Sequence, residues 1–136
     1  MTAEPAIFPP AAARRGPAAQ ARHLHPAALP RWRALLGARS QQQRELVTEL
    51  SLACRDARRA ATDPGSGPDA RRAARRRASA ALRRAAAGRR ALAETEAALA
   101  RLAAGRFGWC QQCGTAITAA RLAEIPQARC CPACEG

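Results

Sequence analysis

The chain has no lysine: all 23 of its basic side chains are arginine, set against 10 acidic ones, for a formal net charge of +13. Aromatic rings are nearly as scarce, with Phe8, Trp32, Phe107 and Trp109 the complete set in 136 residues. No large core can therefore be assembled from rings. Alanine dominates the apolar count and buries little area per residue, so an elongated, thinly cored protein is expected, one that draws stability from another source. No apolar run approaches the roughly 20 residues of a membrane span. The N-terminus lacks the apolar segment of a secretory signal, because Pro5, Pro9 and Pro10 interrupt it. The expectation is a cytoplasmic protein that does not enter a membrane.

What the chain does have is cysteine in a pattern. Cys110-Gln-Gln-Cys113-Gly114 and Cys131-Pro132-Ala133-Cys134 read as C-x2-C-x17-C-x2-C. A two-residue gap lets two thiolates of one turn bind the same ion, and a second such knuckle completes a tetrahedral four-thiolate site. Gly114 suits this chemistry, since the residue after a knuckle often takes a left-handed conformation that turns N–H groups toward sulfur. One structural Zn2+ is the expected cofactor. Two disulfides would need an oxidising compartment, and iron–sulfur ligation stays open as the minor alternative. Four thiolates leave no coordination position for water, so this metal builds structure. Cys130 lies outside the frame and reads as a spare thiol, with substitution for Cys131 and oxidation-driven zinc release as alternatives. Cys54 falls on a helical seam and reads as a buried structural thiol.

Around the cysteines runs Leu99-x-Arg101-Leu102-x-x-Gly105-x-Phe107-Gly108-x-Cys110-x-x-Cys113-Gly114-x-x-Ile117-x-x-x-Arg121-Leu122-x-x-x-Pro126, ending in Cys131-x-x-Cys134. This closely resembles the four-cysteine zinc-finger signature of the DksA/TraR family of bacterial transcription regulators, over about the last forty residues. The resemblance implies a helical hairpin carried on a zinc-ribbon globule. It also implies that the hairpin tip enters the secondary channel of RNA polymerase, often together with guanosine tetraphosphate. Acidic residues at the tip carry the family's effect, and only Asp63 and Asp69 stand there in this chain. Their spacing departs from the family's two aspartates followed by an alanine.

Residues 1–30 hold six of the ten prolines and no apolar periodicity, which predicts a disordered tail. Both histidines, His23 and His25, lie in it and read as unbound. From about Arg31 to Thr62, Val47, Leu50, Cys54, Ala57 and Ala61 alternate steps of three and four, the seam of a coiled coil. Leu46 and Leu52 lie off it. Asp63-Pro64-Gly65-Ser66-Gly67-Pro68-Asp69 breaks the helix and marks a hairpin tip. A second helix follows to about Ala104, with Ala78, Ala85, Leu92 and Leu99 at heptad spacing and Ala74, Ala81, Gly88, Thr95 and Leu102 beside them. Gly88 costs about 1 kcal/mol against alanine and reads as a flexible point. Phe107, Trp109, Ile117, Leu122 and Ile125 are the expected packing around the metal.

The expected fold is thus mostly α. A disordered tail (1–30) precedes an antiparallel helical hairpin, or coiled coil (31–104), on a small C-terminal four-cysteine zinc finger (105–136). Three function classes compete. The first is a monomeric transcription regulator that binds RNA polymerase, with Asp63 and Asp69 as its contacts. The second is a non-specific nucleic-acid-binding protein that uses Arg72, Arg76, Arg83 and Arg90, whose stripe would contact phosphates. An enzyme is the third, and the chain has no catalytic set to support it: the only histidines are in the tail, and Glu94 and Glu96 fall on different helical faces.

Overall fold

The computed structural model describes Leu24 and residues 26–135. The expected tail up to residue 23, and both His23 and His25, lie outside the described residues. A single 3-10 turn, Pro26–Ala28, leads into α1 (Leu29–Thr62); α2 (Pro68–Ala103) and a short α3 (Ala119–Glu124) follow. Helix therefore begins earlier than expected. Pro30 stands in the first turn of α1, where a missing N–H leaves no bond unmade. Leu24 is an apolar anchor only 3% exposed. No described helix is long and apolar enough to cross a membrane.

Contacts divide the chain into two units, Arg39–Ala93 and a second formed by the residues up to Ala38 with Glu94–Gly136. In the first, the facing parts of α1 and α2 pair as an antiparallel hairpin. Leu50, Cys54, Ala57 and Ala61 of α1 are buried with Ala74, Ala78, Ala81 and Ala85 of α2, which is the seam expected from their spacing. Leu46 and Leu52, off that seam, are exposed. Alanine on both faces lets the backbones approach closely, and the Cys54 Sγ lies 3.5 Å from the Ala78 carbonyl oxygen. Cys54 is a buried seam residue, as expected.

Gly88 has a packing reason that periodicity does not disclose. A methyl group there would stand 3.0 Å from the Val47 Cγ2, and a β-branched side chain in a helix has almost no second rotamer to retreat to. Two effects oppose each other in Gly88→Ala. Helix propensity favours alanine by about 1 kcal/mol, while the Val47 methyl resists. The expected outcome is that Gly88→Ala stabilises by about 1 kcal/mol in a Val47→Ala background and by clearly less, or not at all, alone. Thermal unfolding of the four variants measures this; equal gains in both backgrounds would show that no close contact exists.

The break between the helices is tied by its own side chains. The Asp63 Oδ1 accepts from the Gly65 N–H at 3.0 Å, and its Oδ2 accepts from the Ser66 hydroxyl at 3.1 Å. Ser66 N–H also donates to the Asp63 carbonyl at 3.2 Å. This is the turn that an aspartate makes with the backbone two residues on. Pro68 then opens α2, and Asp69 in its first turn faces the positive end of the helix dipole.

In the second unit the core is Leu24, Leu36, Ala98, Leu102, Phe107, Ile117, Leu122 and Ala128, packed with Cys110 and Cys131. Phe107 lies against Trp32, ring centroids 5.7 Å apart and planes tilted by 50°. α2 ends in a Schellman turn: Gly105 N–H donates to the Leu102 carbonyl and Arg106 N–H to that of Arg101, at 3.2 and 2.8 Å. Gly105 has φ 72°, a conformation that side chains with a Cβ resist.

Candidate metal centre

Each cysteine pair sits on a short turn whose backbone is bonded around the sulfurs. In the first, Cys110 N–H donates to the Thr115 carbonyl at 2.8 Å, and Gly114 N–H to the Cys110 carbonyl at 2.9 Å. An isolated antiparallel bridge, Trp109 to Ala116, closes this turn. Gly114 has φ 73°, the left-handed geometry expected of the residue after a knuckle. In the second turn, Cys134 and Glu135 N–H groups both donate to the Cys131 carbonyl, at 3.0 and 3.1 Å. Gln111 N–H donates to the Arg129 carbonyl at 2.8 Å and joins the two turns.

The four Sγ atoms of Cys110, Cys113, Cys131 and Cys134 lie within 4.8 Å of one another. Cys113 and Cys131 sulfurs are 3.6 Å apart. Four sulfurs each about 2.3 Å from a tetrahedral ion would be separated by about 3.8 Å, so the cage fits. It closes without Cys130, which is half-buried. Burial and the neighbouring Cys110 push the Cys130 thiol up, which suppresses the thiolate that oxidation and metal binding both need.

Electrostatics explains why the cage calls for a cation. Burial opposes the Cys110 thiolate, yet backbone N–H groups of Cys113, Cys131 and Gln112, with the Cys113 thiol, outweigh it and bring the group to about 6. Burial likewise opposes Cys131, where the Cys134 N–H and the thiols of Cys113 and Cys134 prevail and lower it. Cys134 takes the opposite shift: Cys131 and Cys113 beside it push it up to about 12. Successive negative charges in one cage become steadily more costly, and a divalent ion removes that cost.

The pH dependence of metal binding follows. Zinc binds four thiolates, whereas the metal-free site holds the Cys134 proton up to about 12. Protons therefore favour the metal-free state, and lowering pH weakens zinc. Affinity is expected to fall by at least about tenfold per pH unit near neutrality, and more steeply below about 6, where Cys110 also takes up its proton. Competition against a chromogenic chelator between pH 5.5 and 8 measures the slope; a flat profile would rule this out.

Around the cage, α3 is capped by Thr118, whose hydroxyl accepts from the Arg121 N–H at 3.2 Å. Its Leu122 is fully buried. The guanidinium of Arg121 pairs with Glu135, closing the end of the second turn. Arg101 is 5% exposed and donates to the Gln127 carbonyl at 3.2 Å, tying the end of α2 to the segment before Cys131. Burial, then Arg129 and Arg106, lower its pKa. The sequence signature includes Arg101 but assigns it no role; its place between Leu99 and Leu102 was the available signal. Phe107, Ile117 and Leu122 are buried around the metal as expected, with Ile125 partly so. Leu24, Trp32 and Leu36 join them from far earlier in the chain.

Residues 105–136 match the family described as prokaryotic dksA/traR C4-type zinc finger. The structure of the transcription factor DksA2 from Pseudomonas aeruginosa superposes with TM-score 0.69 at 26% identity, covering 89% of this chain and 87% of that one. Both likenesses support a place for this chain in the DksA/TraR family. No curated protein sequence matches it at a comparable level of significance. The matched finger is of the C4 zinc type, and Cys110, Cys113, Cys131 and Cys134 are the residues that would hold its one structural zinc ion.

The other residues singled out by sequence are not part of this cage. Asp63 and Asp69 flank the break between α1 and α2. Arg72, Arg76, Arg83 and Arg90 are all exposed on α2.

Proposed function

We propose that this protein is a transcription regulator that binds RNA polymerase and inserts the break between α1 and α2 into the secondary channel. The observation that carries the reading is the coincidence of two likenesses. The finger matches over residues 105–136, and the likeness to a solved transcription factor covers 89% of the chain. The 36 residues of α2 amount to about 54 Å of helix, a length suited to reaching into a deep channel.

Of the two acidic residues at the break, Asp69 is the better contact. Both carboxylate oxygens of Asp63 are engaged within their own turn. The Asp69 side chain is 98% exposed, with only a 3.6 Å pairing to Arg72, and an exposed pair of this kind holds it weakly. Asp69 then acts on the polymerase, and Asp63 shapes the loop that presents it.

A photocrosslinking residue at position 69, used in cell extract, tests the partner and the site together. Polymerase subunits in the crosslinked product support the reading; their absence, at a salt concentration that spares other channel-binding proteins, would overturn it. Asp69→Asn in a purified transcription reaction, with and without guanosine tetraphosphate, then reads whether the contact and the nucleotide act together.

A further inference from the structure

The arginines of the hairpin unit are distributed unevenly. Its α1 segment carries Arg39, Arg44, Arg55, Arg58 and Arg59 against Glu45, Glu49 and Asp56; its α2 segment carries nine arginines against Asp69 alone. A chain that merely favoured arginine on solvated surfaces would load both helices alike. At 100° per residue, Arg72, Arg76, Arg83 and Arg90 fall within about 40° of one another. The buried stripe of Ala74, Ala78, Ala81 and Ala85 lies on the opposite side. The four arginines thus form one straight row about 27 Å long, facing away from the seam.

Little on the protein neutralises this row. Arg76, Arg83 and Arg90 are exposed and make no hydrogen bond or ion pair among the described residues, where Arg72 has only the weak pairing with Asp69. Arg75, Arg77 and Arg84 flank the row, also exposed. Like charges three and four residues apart, such as Arg72 with Arg76, oppose the helix. Neutralisation by an outside polyanion relieves that repulsion and releases the polyanion's counterions.

We propose that this face of α2 binds the phosphate backbone of duplex DNA without reading its sequence. The chemistry of the face selects among polyanions. It carries no aromatic residue on which unpaired bases could stack, which disfavours single strands. The exposed Leu82 lies about 80° from the nearest arginine of the row, so the row itself carries no large apolar side chain, which disfavours a membrane surface. Guanidinium groups suit phosphate oxygens through bidentate bonding. The row tracks a run of phosphates, and affinity comes from charge neutralisation.

The test uses the full zinc-loaded chain and a fluorescent duplex of about 25 base pairs with arbitrary sequence, titrated at several salt concentrations. One variant changes Arg72, Arg76, Arg83 and Arg90 to glutamine, which keeps the helix. A control changes Arg33, Arg39, Arg55 and Arg58 to glutamine and removes the same charge from α1. The row variant is expected to lose about 3 to 4 from the magnitude of the salt slope and at least about tenfold in affinity at low salt, with unchanged helical circular dichroism. The control is expected to keep most of both. Equal losses in the two variants would overturn the proposal, because they would mean diffuse charge and no site. Tighter binding to a single strand of equal length, or to anionic vesicles alone, would overturn it too. The reaction contains no polymerase, so its outcome is independent of the function proposed above.

Discussion

Cys110→Ser, or removal of zinc from the parent by a strong chelator, is expected to abolish the folded state of the unit built on Glu94–Gly136 and the residues before Arg39. Structural zinc contributes about 10–16 kcal/mol of apparent binding energy at neutral pH. A core of one phenylalanine, a few aliphatic residues and alanines cannot replace it. Cys110 is fully buried in that core, so serine also puts an unsatisfied hydroxyl where a metal-bound sulfur stood. The variant should lose its bound zinc, and tryptophan emission should shift to the red as Trp32 and Trp109 meet water. Cys130→Ser is the matching control, expected to retain zinc and its melting transition because the cage closes without that residue. A metal-free Cys110→Ser protein with parental emission and melting would refute this account.

The second large effect is expected at Phe107. It is the largest fully buried side chain among the described residues, and truncating a buried phenylalanine to alanine costs about 3–5 kcal/mol. In a unit with so little other large apolar surface, that loss is a major part of the total. Phe107→Leu keeps most of the volume and should cost about 1.5 kcal/mol or less. The tilted contact with Trp32 should appear as about 0.5–1.5 kcal/mol of coupling in a cycle of Trp32→Leu and Phe107→Leu. Denaturant unfolding of zinc-loaded variants reads all three values. A Phe107→Ala cost below about 1 kcal/mol would show that the aromatic pair is peripheral.

Zinc and Phe107 share one logic: a small core is stabilised by few groups, each with a large effect. The hairpin unit works differently. It spreads close contact over many alanines, so that a single methyl group, as at Gly88, is the scale on which it responds.

The cysteine pairs, the two long helices and the break between them were all legible along the chain, because each is a local property. A two-residue spacing places two sulfurs on one turn, a three-and-four alternation defines one helical face, and Pro64, Gly65, Gly67 and Pro68 end a helix wherever it lies. Other roles exist only once distant segments meet. Leu24, Trp32 and Leu36 become core because Phe107 and Leu122 arrive beside them from between 71 and 98 residues away. Arg101 is buried because the Gln127 carbonyl waits for it, and the room at Gly88 is limited by a valine on the other helix. Both carboxylate oxygens of Asp63 are engaged in a turn whose bonds could not be read from composition, which leaves Asp69 as the acid at the break that the turn does not engage. Spacing along the chain decides what depends on neighbours in sequence, whereas burial and close approach depend on neighbours in space, which only the folded arrangement supplies.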